Sequence, residues 1–224
     1  MVGHTFEFVP AIRWMREYLL SGEAGDLLYL HGQRLNLGRV QHDINAFWSI
    51  GPHDVSIANY LVGVPLNGCP PGARGTSTTM SRTSCSSPPG TPEVLAHMHV
   101  SWLDPSKTRR TTLVGSQRML VYDDLDPDAS LRIYDKGVDR MEADPFGAWR
   151  YRMRSNGMHA PALPTVEPLN ALVSHFLDCV RTGEQPVVDG WNGARVVAAL
   201  EAVDASLRAD GARVEVRLPW SMRD

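Results

Sequence analysis

Two arrangements of histidine in this sequence could carry chemistry. His53 follows Pro52 at the start of an apolar-periodic pattern, so its imidazole is expected at or just inside a helix N-terminus. An imidazole has an ordinary pKa of about 6.5 and can accept a proton at neutral pH. His97 and His99 alternate in a strand-like run, so they share one face and form a possible metal pair. Because no third ligand stands at a telling spacing, we predict no metal site.

The elements that must position these side chains follow from hydrophobic periodicity. Helices are predicted near 10–21, from Pro52 through Leu61, and over 167–181 and 193–209. Strands are predicted over 27–35, 94–103, 107–114, 119–122 and 131–134, with a last strand at 214–216. The segment 135–164 is predicted to be irregular. This order indicates an α+β fold with a mostly antiparallel open sheet that helices cover on one face.

Composition limits the possible partners. The 224 residues are 43% hydrophobic and 21% charged, which suits one large globular domain. The formal net charge of −3 gives no general attraction to nucleic acid or to an anionic membrane surface, so small molecules or proteins are the expected partners. No apolar run has membrane-spanning length and no signal peptide stands at the start, so a cytoplasmic location is expected. No glycine-rich strand-to-helix turn occurs, so no cofactor-binding residues are predicted.

Several stretches in a shared order resemble the Gfo/Idh/MocA oxidoreductases. Within that family, the sequence is most similar to the nucleotide-sugar 3-dehydrogenases that act on uronic acid derivatives of N-acetylglucosamine. The stretches are Val-Gly-His-Thr-Phe-Glu-Phe at 2–8, Ser-Gly-Glu-Ala-Gly at 21–25, Gln-Arg-Leu-Asn-Leu-Gly-Arg at 33–39, Gly-Pro-His-Asp-Val-Ser-Ile at 51–57, Val-Ser-Trp at 100–102, Gly-Ser at 115–116 and Asp-Gly at 189–190.

The resemblance implies the organisation of the chain. Residues 1–8 would be the remnant of the last strand of a Rossmann domain and a linker, and 9–224 would be the substrate-binding and catalytic α+β domain, similar to the C-terminal domain of dihydrodipicolinate reductase. Family members use NAD or NADP, but the glycine-rich loop and the Glu-Lys-Pro motif that supplies the catalytic lysine are absent from this chain. The resemblance therefore implies no complete Rossmann domain and a weakly active or inactive fragment.

The resemblance also implies a site. His53 occupies the position of the histidine that lies beside the sugar carbon losing hydride, where it would act as general base. The family often has an aspartate four residues earlier, but here that residue is Ser49, so support for His53 must come from elsewhere. The implied substrate-binding residues are Arg34, Asn36, Arg39, Asn45, Trp48 and Ser49. The alternative for His53 is a structural histidine at a helix start. Arg34, Asn36 and Arg39 could instead be exposed polar residues at a strand end, and Trp48 could be a core residue.

Residues 66–92 do not fit the pattern of a packed domain. Residues 68–92 are rich in Gly, Pro, Ser and Thr and have almost no apolar side chains, which is typical of a disordered linker. Family members have one or two strands in this interval. With codons of our choosing, a one-nucleotide shift of the reading frame converts 78–87 into a strand-like sequence. We therefore expect 66–92 to be disordered or frameshifted, with a true flexible loop as the alternative.

Three functions remain open at this stage. The first is NAD(P)-dependent removal of hydride from a nucleotide-linked sugar. The second is a polyol or free-sugar dehydrogenase of the same family. The third is a non-catalytic domain that binds sugar or forms a homo-oligomer through the open face of its sheet.

Overall fold

A seven-stranded mixed sheet forms the centre of the fold. The structure is a computed structural model that describes residues 1–63, 68–69, 78–80, 94–141 and 151–218. In order across the sheet, the strands are β3 (Thr78–Met80), β4 (Leu95–Ser101), β1 (Leu27–Leu37), β5 (Leu103–Gly115), β6 (Met119–Asp123), β7 (Leu131–Arg140) and β8 (Tyr151–His159). Strands β1 and β4 run parallel, and the other neighbouring strands pair antiparallel. The short strands β2 (Gly68–Cys69) and β9 (Val214–Glu215) pair separately.

Five α-helices are present in the described part of the chain. They are α1 (Pro10–Leu20), α2 (Ala46–Ile50), α3 (Pro52–Val62), α4 (Pro168–Thr182) and α5 (Gly190–Arg208). Helices α1, α3 and α4 begin with proline, whose fixed φ suits the first turn. Gly63 and Gly183 close α3 and α4 in the left-handed conformation that glycine adopts without strain. Helix α5 begins earlier than the predicted residue 193, because the Asp189 side chain accepts a hydrogen bond from the backbone N–H of Asn192.

The core lies between one face of the sheet and the helices. Alternate residues of neighbouring strands stand opposite one another on this face, as in the pairs Leu30–Leu113, Leu113–Leu120 and Leu120–Ile133. All four side chains are at most 1% exposed. They belong to one buried cluster with helix residues that include Ile12, Met15, Phe47, Val55, Ile57 and Val203. This burial of apolar surface is the main force that holds the helices on the sheet.

Three segments differ from the sequence prediction. Thr5–Phe8 forms a 3-10 helix rather than the end of a strand, since no described strand lies beside it to pair with its backbone. The segment predicted as irregular contains the end of β7 and all of β8. Strand β8 escaped prediction because it is an edge strand whose residues are almost all exposed, so it shows no apolar alternation. The short helix α2 lies in a stretch where no helix is predicted, and Asn45 caps it.

Most of 66–92, where disorder or a frameshift is expected, lies outside the described residues. In that interval the described pieces are Gly68–Cys69 and Thr78–Met80, and the latter pairs antiparallel with β4. In the part of the chain that the structure describes, no helix is both long and apolar enough to cross a membrane.

Candidate active site around His53

The candidate site lies where the ends of β1 and β5 meet the beginning of α3. Arg34 of β1 stands directly opposite Arg109 of β5 in the antiparallel register. Directly opposed residues point to the same face, and residues two positions away on each strand share it. Beyond this pair the register is irregular, between Leu35 and Leu37, and Asn36 and Lys107 of this stretch line the same cavity as Arg34 and Arg109.

A close junction of two helices sets the position of His53. Helix α2 ends and α3 begins at Gly51, whose N–H donates to the carbonyl of Phe47 over 2.9 Å. A Cβ at residue 51 would lie 2.6 Å from that carbonyl oxygen, so only glycine allows this approach. His53 follows two residues later in the first turn of α3, as predicted. Its ring packs against Phe6, with 5.0 Å between ring centroids.

His53, Arg34 and Asn36 line a single cavity of about 190 Å³. The remaining lining residues are Phe6, Leu35, Ile50, Lys107 and Arg109. The predicted proximity of His53 to Arg34 and Asn36 is therefore present. The cavity combines a proton acceptor, an amide and three cationic side chains on a partly apolar wall.

The Arg34 guanidinium is already bound within the protein. Its Nε donates to Asp54 Oδ2 over 2.7 Å, and the two side chains are only 9% and 4% exposed. The guanidinium also lies 4.6 Å from the centre of the Phe6 ring. Burial raises the pKa of the Asp54 carboxyl, and the charge and hydrogen bond of Arg34 oppose that rise. Arg34 thus connects β1 to α3 and to Phe6. Its charge is already paired with Asp54.

The surroundings of His53 favour its neutral form. Burial lowers the pKa of His53 to about 4, and the positive charges of Arg34, His4 and Arg109 add to this effect. Within the described part of the chain, the buried His53 Nδ1 has no hydrogen-bond partner. No carboxylate supports the ring from within that part, in agreement with serine at position 49. His53 is therefore a neutral imidazole at pH 7, able to accept a proton or a hydrogen bond.

Two other predicted site residues, Asn45 and Trp48, line a second, larger cavity. Asn45 Nδ2 and Trp48 Nε1 each donate to the carboxylate of Asp204 in α5 over 2.6 Å. All three residues line a cavity of about 680 Å³ together with Trp102 and the segment 40–44. The polar groups of Asn45 and Trp48 are thus bound to Asp204. Their side chains shape this cavity, whose described lining also includes the acidic residues Asp43 and Asp204.

The last two predicted residues lie apart from the His53 cavity. Arg39 is exposed in the segment after β1, and Ser49 is half-buried within α2. Neither is among the described residues that line the cavity.

Sequence reasoning missed Lys107, Arg109 and Phe6. Lys107 and Arg109 alternate along a predicted strand, which indicates a shared face, but only the register with β1 shows which site that face belongs to. Phe6 lies in the segment taken as the end of a Rossmann strand. No pattern within the sequence links it to His53.

The histidines of β4 lie on the opposite face of the sheet. His97 stands beside His31 of β1, with ring centroids 4.7 Å apart. Among the described residues, no group of three or more His, Cys, Asp or Glu is placed to hold a metal ion.

Comparison with solved structures relates this architecture to known proteins. No protein-family model and no curated protein matches the sequence. An oxidoreductase domain protein from Kribbella flavida matches 97% of this chain with a TM-score of 0.71 and 17% identity. The UDP-N-acetylglucosamine 3-dehydrogenase from Acidithiobacillus ferrooxidans matches 93% with a TM-score of 0.66 and 23% identity. Levoglucosan dehydrogenase in complex with NADH matches 97% with a TM-score of 0.69 and 14% identity. The chain shares its fold with these oxidoreductases.

The oxidoreductase fold matched here is only part of each relative. The chain spans 66%, 61% and 66% of the length of the three structures named above. At these identities the likeness concerns the fold and not the substrate.

Proposed function

We propose that this chain is the substrate-binding domain of an NAD(P)-dependent oxidoreductase that removes hydride from a sugar. The observation that carries the proposal is the neutral, half-buried imidazole of His53 in a polar cavity of an oxidoreductase fold. Oxidation of a secondary alcohol requires a base for the hydroxyl proton while hydride leaves the carbon. The nicotinamide, when bound, supplies the hydride acceptor.

Each residue of the cavity has a separate proposed role. His53 accepts the hydroxyl proton at a ring nitrogen. Asn36 hydrogen-bonds a neighbouring hydroxyl, and Phe6 and Ile50 form the apolar wall. Arg34, clamped by Asp54, holds the strand end against α3 and keeps the pKa of His53 low.

An exposed face of α4 supports the existence of a covering domain. Among the apolar residues of this helix that are at least 45% exposed are Leu169, Val173, Phe176, Leu177 and Val180. Their spacing places them on one side of the helix. Because the matched oxidoreductases are longer than this chain and include NAD-binding proteins, we propose that a dinucleotide-binding domain covers this face.

Fusion of such a domain to this chain tests the proposal. The dinucleotide-binding domain of levoglucosan dehydrogenase would be joined ahead of Val2 and assayed for sugar-dependent reduction of NAD+ and NADP+. We expect the fused protein to reduce the cofactor. In His53→Gln the rate of this reaction should be lower by about 100-fold or more, the range for loss of a general base. His159→Gln is the matched control, because His159 is exposed on β8. Full activity of His53→Gln would exclude the proposed role.

Two substrates distinguish the finer alternatives. We favour a nucleotide-linked sugar on the sequence resemblance to the uronate-type 3-dehydrogenases. A free-sugar or polyol dehydrogenase is the rival. UDP-N-acetylglucosamine should bind more tightly than levoglucosan in the first case and less tightly in the second.

A non-catalytic association role is the candidate from another class, and the exposed face of α4 also favours it. A homo-oligomer through the open sheet face, where Tyr29 is 42% exposed, is a related proposal. Sedimentation of the purified chain distinguishes the two contact surfaces. If α4 is the contact, Val173→Lys should weaken association. If the sheet face is the contact, Tyr29→Lys should weaken it.

A further inference from the structure

We propose that His4 is a positioning residue for His53. Through one bridging water, His4 holds the imidazole of His53 in the tautomer that leaves Nε2 free to accept a proton. This inference rests on the proposed function, in which His53 is the base, and deepens it.

Two buried nitrogen atoms are the first observation behind this inference. The His4 side chain is only 8% exposed, and its Nε2 is buried without a hydrogen-bond partner among the described residues. The Nδ1 of His53 is in the same condition within that part of the chain. Buried polar atoms in folded proteins are almost always hydrogen-bonded, either to protein or to ordered water. If the two rings are neighbours, one water can serve both nitrogens.

The packing of the 3-10 helix against α3 makes the two rings neighbours. Phe6 packs on the ring of His53, and the hydroxyl of Ser56 donates to the carboxylate of Glu7. The two helices therefore meet in the same order along the chain. His4 lies one turn before Glu7, whose N–H donates to the His4 carbonyl over 3.2 Å. His53 likewise lies one turn before Ser56 on the same side of α3, so His4 stands beside His53.

The charges around His53 leave His4 as the acceptor for its Nδ1–H. Arg34 on β1 and Arg109 on β5 face His53 with positive charges that lower its pKa, and a guanidinium accepts no hydrogen bond. Asp54 is occupied by Arg34. Burial lowers the pKa of His4, so its ring is neutral at pH 7 and one of its nitrogens carries a lone pair. A protonated His4 would also lower the pKa of His53, as expected for neighbouring rings.

The tautomer of His53 decides whether the ring can act as a base. The hydrogen bond made by one ring nitrogen determines which nitrogen carries the proton. Because Nδ1 is buried, Nε2 is the nitrogen that can face the cavity. When Nδ1–H donates to the water and the water donates to Nε2 of His4, the lone pair of His53 lies on its Nε2. The same connection stabilises the imidazolium that forms when the substrate proton reaches Nε2. His4 is not among the described residues that line the cavity, so it acts through His53.

Nitrogen NMR of the imidazole rings in the purified chain tests the inference without substrate or cofactor. We expect His53 at pH 7 in the Nδ1–H form. His4→Phe has no acceptor and should shift His53 toward the Nε2–H form. His4→Asn, whose shorter amide does not reach the position of Nε2, should do the same and keeps the test decisive if His4→Phe does not fold. His4→Gln, whose longer amide reaches that position, should preserve the Nδ1–H form.

Glu7→Gln is the matched control, because it alters the same 3-10 helix at its contact with Ser56 and leaves His4 in place. It should leave the tautomer of His53 unchanged. In the protein fused to a dinucleotide-binding domain, His4→Phe should lower kcat by about tenfold or more with little change in KM, and His4→Gln should restore part of that loss.

Two results overturn the inference. One is an Nε2–H form of His53 in the wild-type chain, and the other is a tautomer that neither His4→Phe nor His4→Asn changes. Because the NMR measurement contains no nicotinamide, its failure is distinct from a failure of hydride transfer in the fused protein.

Discussion

Arg34 and Asp54 form a buried ion pair across 2.7 Å that ties the end of β1 to the first turn of α3, next to His53. A buried charge that loses its partner is left without compensation, which destabilises a protein by about 3–5 kcal/mol. We therefore expect Asp54→Leu or Arg34→Met alone to lower the free energy of unfolding by about that amount in urea denaturation. The double variant should lose less than either single variant.

The pair of Arg110 and Asp123, which is more exposed than Arg34 and Asp54, is the control for this prediction. The Arg110 side chain is 45% exposed, and solvated pairs contribute about 1 kcal/mol or less. Equal losses from disrupting the two pairs would contradict the structural role given to Arg34.

The low pKa of His53 predicts a pH dependence of stability. The unfolded imidazole has a pKa of 6.5 and the folded one about 4, so the unfolded state binds more protons between these values. Stability is complete above about pH 6.5 and is lost as the pH falls toward 4. The full loss from this group is about 3 kcal/mol.

Comparison with His53→Gln isolates that contribution. Between pH 7 and pH 4 the wild-type chain should lose more unfolding free energy than the variant does. Burial raises the pKa of Glu7, which acts in the opposite direction, but Glu7 is common to both proteins and cancels. Parallel pH profiles would refute the low pKa, which NMR titration of His53 measures directly.

Asp204 is predicted to hold the wall of the larger cavity. In Asp204→Ala, Asn45 Nδ2 and Trp48 Nε1 lose their common acceptor. An unsatisfied, partly buried donor costs about 1–3 kcal/mol, so we expect a loss in that range and faster hydrogen exchange over 40–48. Glu201→Ala, at an exposed residue one turn earlier in α5, should leave both quantities unchanged.

Two glycines of the sheet should respond oppositely to alanine. A Cβ on Gly115 would lie 2.2 Å from the carbonyl oxygen of Ala24, so the backbone must move, and a cost of about 1–3 kcal/mol is expected. A Cβ on Gly32 meets its nearest atoms at 3.8 Å, an ordinary contact. Gly32→Ala should therefore be neutral or stabilise the chain by about 0.4–1 kcal/mol through the unfolded state. Thermal unfolding of both variants measures the contrast.

The sequence alone located most of the helices and strands and placed His53 at the start of a helix. Periodicity located α1, α3, α4, α5 and the strands that contribute to the core, because each has an apolar face that leaves a pattern in its own residues. In α4 most of that face is exposed. Pro52 likewise marked His53 as the start of a helix. Strand β8 left no such mark, since its backbone pairs with β7 while its side chains face solvent.

Only the tertiary structure decided which charges share the cavity with His53. Arg34 and Arg39 look equivalent in sequence, yet one is buried against Asp54 and the other is exposed. Lys107 and Arg109 reach the site through a strand register that joins residues more than 70 positions apart in the chain. Register depends on the packing of the whole sheet against its helices, and a one-residue slip would turn those side chains to the other face. No local pattern carries that information.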